Sequence, residues 1–509
     1  MPSSTSENNK RIAKNTLILY MRQLFVLVVS LYTSRIILLV LGVKDFGLYT
    51  LVAGVMSSMS VLLSTTATSA SRFLTFALGK KDHLLAVRTF ETALFIQTSM
   101  AFVALILAET VGLWFLNTQL NIPVDRMTAA NWIYQFATIT LFIGIVQMPY
   151  SSVIIAHEKM SVYAYVEMFQ VVTKLLIVIA LDFIGNHDKL IFYGLGMMSV
   201  SILCTAFNVI YSKKHFAECR LIPKKDNSLI KSMLLFSGWD LYGAVATILA
   251  GQGCAFVINL FKGIVYNGIV GIVSQVQSAV AGCATAISQA SRPQIIKYYA
   301  EGRLPEMIAL MNNLCALVTL ILAIFIVPLM AEIDFVLKVW LKNPPPEVGQ
   351  LTFIALISTL SWSVITTLNA GIGATGKNFA LSIGSGTILM LNFPINYILL
   401  KLGYSLATCY IAGIFVTLST VFYAAMLCQK QLEGYRVSVF LRRVVVPLIV
   451  LVSLSLFICL SVQKTMEEGW IRLITIITLS TFTIATSGFF IMLSKEQRAV
   501  VLRRLKLKK

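Results

Sequence analysis

Apolar runs about as long as the roughly 20 residues a helix needs to cross a bilayer follow one another along the chain. Polar positions are confined largely to the gaps between them. Fourteen segments can be drawn: 16–40, 47–68, 90–114, 129–151, 163–184, 190–211, 230–250 and 254–287, then 308–330, 350–371, 381–400, 404–428, 443–461 and 471–493. The eighth exceeds one simple span and is expected to emerge at one face. A Gly185-Asn186-His187-Asp188 turn divides the fifth from the sixth. The pattern predicts an all-α polytopic membrane protein with about 14 transmembrane helices.

Charge gives the orientation. With the amino end inside, 29 of the 41 basic residues fall in alternate, inward gaps, and eight fall outside. That bias predicts cytoplasmic amino and carboxyl termini. The formal net charge of +19 is then topology plus attraction to anionic phospholipids, not a nucleic-acid signal. The first apolar run is too long for a cleavable leader and is expected to be retained. Composition agrees: 57% apolar and 12% charged residues, against about 25% charged in a soluble protein.

The gaps exclude much. The longest outer connection, 331–349, holds Pro344-Pro345-Pro346, and the longest inner one is Ser212–Leu229. Neither can house a catalytic domain. No phosphate-binding loop or dinucleotide fingerprint occurs. The eight Cys form no CxxC and the four His show no metal spacing, so no catalytic group, metal or bound cofactor is expected. The work must be done by the helices.

Ionisable groups at membrane depth are costly and tend to face a bundle interior or a wet cavity. The candidates are Arg22, Arg35, Glu109, Glu167, Lys174, Asp182, Asp240 and Lys262. Arg22 and Lys262, flanked by long apolar stretches, point to a basic cavity that receives an anion. Lys174 follows Glu167 by two helical turns, so both share a face; an ion pair and a substrate contact are equally open there. Asp240 can carry a coupling proton, help bind Na⁺, or pair with Lys262. Ser64, Asn259, Asn267 and Gln275 belong to polar clusters in the second and eighth spans, split between helix–helix glue and a polar cavity lining.

Asn15–Tyr49 and Ser232–Tyr266 match in spacing, each a span, a Gly-containing turn and the start of another span. This predicts two six-helix lobes plus two carboxyl-terminal helices: 1–211, a 212–229 linker, 230–428, and 429–509. Equivalent lobes around a central cavity permit alternating access.

Four stretches carry a family resemblance: Leu41–Tyr49 (LGVKDFGLY), Pro149–Met160 (PYSSVIIAHEKM), Ala290–Ala300 (ASRPQIIKYYA) and Gly238-Trp239-Asp240. They resemble the polysaccharide transporters, of O-antigen flippase type, of the multidrug/oligosaccharidyl-lipid/polysaccharide exporter superfamily. The resemblance covers nearly the whole chain. It implies a MATE-like fold in the bacterial inner membrane and translocation of undecaprenyl-diphosphate-linked oligosaccharide units. It also implies coupling to H⁺ or Na⁺, with a polysaccharide polymerase and a chain-length regulator as partners. Arg22 and Lys262 then resemble cavity cations, and with Lys174 they approximate the diphosphate charge. Asp240 and Glu167 are the coupling candidates. A multidrug exporter of the same fold would favour an acidic cavity; a membrane polymerase or ligase would want a large outer loop.

Overall fold

The computed structural model describes residues 3–79, 82–157, 159–185, 188–220, 226–375, 378–492 and 498, with side chains in the first helix described only from Phe25 onward and there only in part. Every regular element among them is helical. In order they are α1 (Ser3–Gly79), α2 (His83–Leu107), α3 (Leu113–Thr118), α4 (Met127–Ala156), α5 (Met160–Ala180) and α6 (Lys189–His215). Then come α7 (Asn227–Ile248), α8 (Cys254–Lys262), α9 (Ile264–Ala300), α10 (Leu304–Ala331), α11 (Ile333–Leu341) and α12 (Val348–Ala374). The last are α13 (Asn378–Met390), α14 (Asn392–Lys401), α15 (Leu406–Gln431), α16 (Val437–Phe440), α17 (Val446–Thr465) and α18 (Trp470–Ile491).

Thirteen segments among the described residues are long and apolar enough to cross a membrane. One, Val28–Met56, runs through a kink at Gly42, so the expected spans 16–40 and 47–68 are the two arms of α1. Gly42 adopts φ 76°, ψ 170°, which an L side chain resists. Short side chains start the next helices: Asp82, Asp188, Asp226 and Ser405 each accept a backbone N–H of the first turn.

One expected boundary moves. The break between the seventh and eighth spans lies at Gly263 (φ 81°, ψ −177°), not at residues 251–253. The Leu249–Gly253 stretch is instead a π-turn that carries α7 into α8 without ending the helix. Within the outer 331–349 connection, α11 occupies Ile333–Leu341.

Contacts divide the chain between Gly271 and Ile272, inside α9. In the first unit, α1 packs on α2, α4, α5 and α7, and α4 on α6. Its core includes Leu48, Leu51, Leu116, Ile133, Tyr134 and Ile145. In the second unit, α12 packs on α10 and α15, and α17 and α18 pack on each other and on α10. Its core includes Met311, Leu322, Ile326, Leu356 and Leu368.

Gly42 and Gly263 share one conformation, and the Gly47–Gly268 pair keeps their spacing. A Cβ on Gly47 would overlap the Ile264 carbonyl oxygen, and one on Gly268 would overlap that of Val43. The two kinked hairpins therefore cross backbone to backbone in a reciprocal contact that only glycine permits. The two hairpins correspond at Gly42 and Gly263, a register one helical turn later than the Asn15/Ser232 alignment.

Candidate functional site

The second arm of α1, with α4, α5 and α6, lines a half-open cavity of about 320 Å³ in the first unit. Small residues keep it open: Ala53, Ala137, Gly144 and Gly194 all line it. Tyr49 and Phe136 supply aromatic wall, and Tyr49 is braced edge-on by Tyr193 at 4.7 Å between ring centroids. Ser60, Thr140, Gln170 and Ser201 supply hydroxyls and an amide, and Lys174 supplies the single cation of the lining. Gln170 and Lys174 are one turn apart on α5, so one helix face presents both.

Lys174 makes no hydrogen bond and no ion pair among the described residues. Glu167, two turns earlier, acts on it through space, as does the Cys204 thiol on α6. Thr140, Gln170 and Ser201 make no side-chain hydrogen bond among the described residues either. Elsewhere in these helices hydroxyls are committed: Thr50, Thr173 and Ser199 each donate to the carbonyl four residues back.

Among the described residues, none of the other predicted site residues lines this cavity. The side chains of Arg22, Ser64 and Asp240 lie outside the described residues. Lys262 is not at mid-span in an eighth helix; it is the last residue of α8, beside the Gly263 turn. Lys262 is a single charge between Leu260-Phe261 and Ile264-Val265, so the sequence presented the turn as a mid-span cation. Asn259 and Asn267 are sealed at 0% and 2% exposure and line no open cavity. Asn259 Oδ1 accepts the Asn121 N–H at 2.9 Å, and Asn267 Nδ2 donates to the Ala255 carbonyl at 2.9 Å. Both staple hairpin joints. Gln275 Oε1, in the second unit, is buried without a hydrogen-bond partner among the described residues.

Three ionic joints escaped the sequence reading. Arg126 bridges Asp45 (2.6 Å) and Asp188 (2.7 Å), tying the Gly42 kink to the turns before α4 and α6, with Lys44–Asp125 beside it at 3.1 Å. At the opposite end of the first unit's helices, His157 Nε2 meets Glu218 Oε1 at 2.5 Å and the ring stacks on Phe216. This docks the turn after α6 onto the α4–α5 turn. The neighbouring Cys219 thiol is fully buried, and burial plus the Glu218 charge push its pKa up to about 12. In the second unit, Arg472 meets Glu332 at two points: Nη2 donates to Oε2 at 2.8 Å, and Nε lies 2.7 Å from Oε1. The available signal was positional. Asp45 and His157 fall inside two of the stretches that carry the family resemblance, and both prove to be helix joints.

A π-turn at Ala108–Gly112 shifts the α2–α3 hydrogen-bond ladder. Tyr134 donates its hydroxyl to the Ala108 carbonyl (2.7 Å), and Gln135 donates to Glu109 (3.1 Å). Glu109 is thus held by a neighbouring helix.

Comparison with known proteins adds the following. No family model matches the chain. An uncharacterized membrane protein, EpsK, of Bacillus subtilis (strain 168) is 20% identical over 497 residues, covering 94% of each chain. The lipid II flippase MurJ in an inward closed conformation superimposes with a TM-score of 0.70 at 12% identity, covering 94% of this chain and 98% of that one. An inward-facing multidrug-resistance MATE transporter of the MOP superfamily gives 0.63 at 10% identity, covering 80% and 95%. The chain has the all-helical, multi-span fold that the MurJ flippase and the MATE transporters share, the fold of the multidrug/oligosaccharidyl-lipid/polysaccharide exporters.

Proposed function

We propose that this protein is a flippase that moves undecaprenyl-diphosphate-linked oligosaccharide units across the bacterial inner membrane by alternating access. The carrying observation is the Lys174 cavity: basic, lined with hydroxyls and an amide, inside a transporter fold. A polar, anionic head cannot cross hydrocarbon unaided, and such a lining offsets its desolvation. The polyprenyl tail can stay in lipid. No bond need be made or broken, so the activity is transport rather than catalysis.

Residues 1–211 and 230–428 are the two rocking lobes, joined by 212–229, with 429–509 added after them and both termini in the cytoplasm. Arg22 serves as a cation for the diphosphate, and Asp240 or Glu167 carries the coupling H⁺ or Na⁺. The polymerase and chain-length regulator of the same polysaccharide act on the product. A multidrug exporter would present an acid to its cationic cargo, whereas the cavity presents a lysine.

Deletion of the gene, followed by mass analysis of the lipid fraction, tests this. Lipid-linked oligosaccharide should accumulate on the inner leaflet and clear when the gene is restored. Unchanged lipid-linked sugar together with raised sensitivity to cationic dyes would replace this reading with the multidrug one.

A further inference from the structure

We infer that the Lys174 cavity receives one carboxylate-bearing sugar ring of the cargo, apart from the lipid diphosphate; this rests on the flippase reading above. Volume, charge and uncommitted polar groups each narrow the ligand.

The cavity, at about 320 Å³, sits at the low end of small-molecule sites, which run to roughly 1,000 Å³. It holds a sugar ring, not a whole repeat unit. Its single cation suits a monoanion. A diphosphate carries at least two charges and would leave one uncompensated in a low-dielectric site. An ammonium is a compact point charge with three donors, suited to a carboxylate approached from one side.

The remaining lining suits the ring itself. Thr140, Gln170 and Ser201 come from three helices, and none of their polar atoms is committed among the described residues. All three are half-buried on the cavity wall, and their polar atoms, untied within the described residues, are available to a ligand rich in hydroxyls. Tyr49 and Phe136 offer apolar surface to the C–H face of a pyranose. Gly144 completes the site, because a Cβ there would meet nothing within 4 Å.

The test uses the full chain in nanodiscs, with thermal unfolding and calorimetric titration as readouts. The probes are sodium glucuronate, glucose, sodium acetate and inorganic phosphate. Glucuronate should bind and raise Tm, with glucose and acetate each weaker because each lacks half of the recognised chemistry. Lys174→Met should weaken glucuronate by about tenfold or more, the loss of one charge-assisted hydrogen bond, and Lys174→Arg should keep most of the affinity. Gly144→Leu should abolish binding by filling the space while leaving the lysine in place.

Equal response to glucose and glucuronate, equal response to acetate or phosphate, survival of binding in Lys174→Met or Gly144→Leu, or no response at all would each overturn the inference. The two readings fail separately. If deletion accumulates lipid-linked sugar but Lys174→Met exports normally and binds as wild type, the site falls and the flippase reading stands. If glucuronate binds as expected but deletion accumulates no lipid-linked sugar, the site stands and the flippase reading falls.

Discussion

Lys174 and Arg472 are both cations on apolar helices, and the protein treats them in opposite ways. Arg472 is spent: at 9% exposure it meets a fully buried Glu332 at two points and also donates to the Met466 carbonyl at 3.4 Å. Lys174 is kept: it opens on a cavity with uncommitted hydroxyls and an amide around it. The paired charge fastens α18 to the junction of α10 and α11, while Gln463 Nε2 on α17 donates to the Ala331 carbonyl (2.6 Å) and Lys338 pairs with Glu468 in the turn before α18 (2.8 Å). The lesson is that a charge among membrane helices marks function only when its own protein has not already neutralised it.

The strongest way to break that contrast is at Glu332. Glu332→Ala leaves a guanidinium buried and unpaired, which should cost roughly 3–5 kcal/mol of stability. Replacing both partners with apolar residues, Glu332→Leu with Arg472→Met, should recover most of it. Thermal unfolding in detergent reads both. A Glu332→Ala protein that melts like wild type but fails to transport would mean that the pair belongs to the mechanism.

Two glycines sharpen the contrast between spent and open space. At Gly47 any side chain runs into the Ile264 backbone, which cannot step aside as a side-chain tip can. Gly47→Leu should therefore lower stability by roughly 1–3 kcal/mol, the usual range for overpacking. Gly144→Leu enters free space and should leave unfolding within about 0.5 kcal/mol of wild type. If the two variants melt alike, the hairpin crossing is looser than its geometry.

Next in size is Lys174 itself. An ammonium without an ion-pair partner contributes nothing by pairing, so Lys174→Met should hold stability within about 1 kcal/mol or raise it, even as ligand binding is lost. A fall comparable to that of Glu332→Ala would show that Lys174 is a structural charge after all.

The sequence made the open parts of this molecule easier to read than the closed ones. The spans were legible because a bilayer demands long apolar runs, and the Gly42 kink fell in a polar gap, Val43-Lys44-Asp45. The Gly263 kink was not legible. Its flanks, Asn259-Leu260-Phe261-Lys262 and Ile264-Val265-Tyr266, hold a lone charge that reads as a cation at mid-span, while Gly251-Gln252-Gly253 imitates a turn and is in fact a π-helical bulge. Lys174 stood out because it lies deep in a span. Arg472 did not, because it opens a span and counts as one more loop charge until Glu332, 140 residues away, is folded against it. Asn259 and Asn267 were visible as polar residues at depth, but whether an amide staples a joint or lines a cavity depends on partners such as Asn121 that no local pattern reveals.

A third way to bury an ionisable group is to keep it neutral, and Cys219 does this where α6 ends. Its thiol is fully buried beside Glu218, with a pKa raised from the ordinary 9.0 to about 12. Because the folded state disfavours the thiolate, the stabilising contribution is complete below pH 9. It is lost as the pH rises from 9 towards 12, where the unfolded chain gains from ionising and the folded one does not. The thiolate is the reactive form, so Cys219 should resist maleimide at pH 8 in the folded protein. His157→Ala should raise its labelling rate, since cutting the His157–Glu218 contact frees the turn that covers the thiol. Cys204 and Cys254 are the controls, because both are buried away from that turn and their rates should not change. Labelling of Cys219 that is already fast in the wild type would show that the turn opens by itself. The histidine would then be an ornament on a loose segment, unlike the arginine that holds α18.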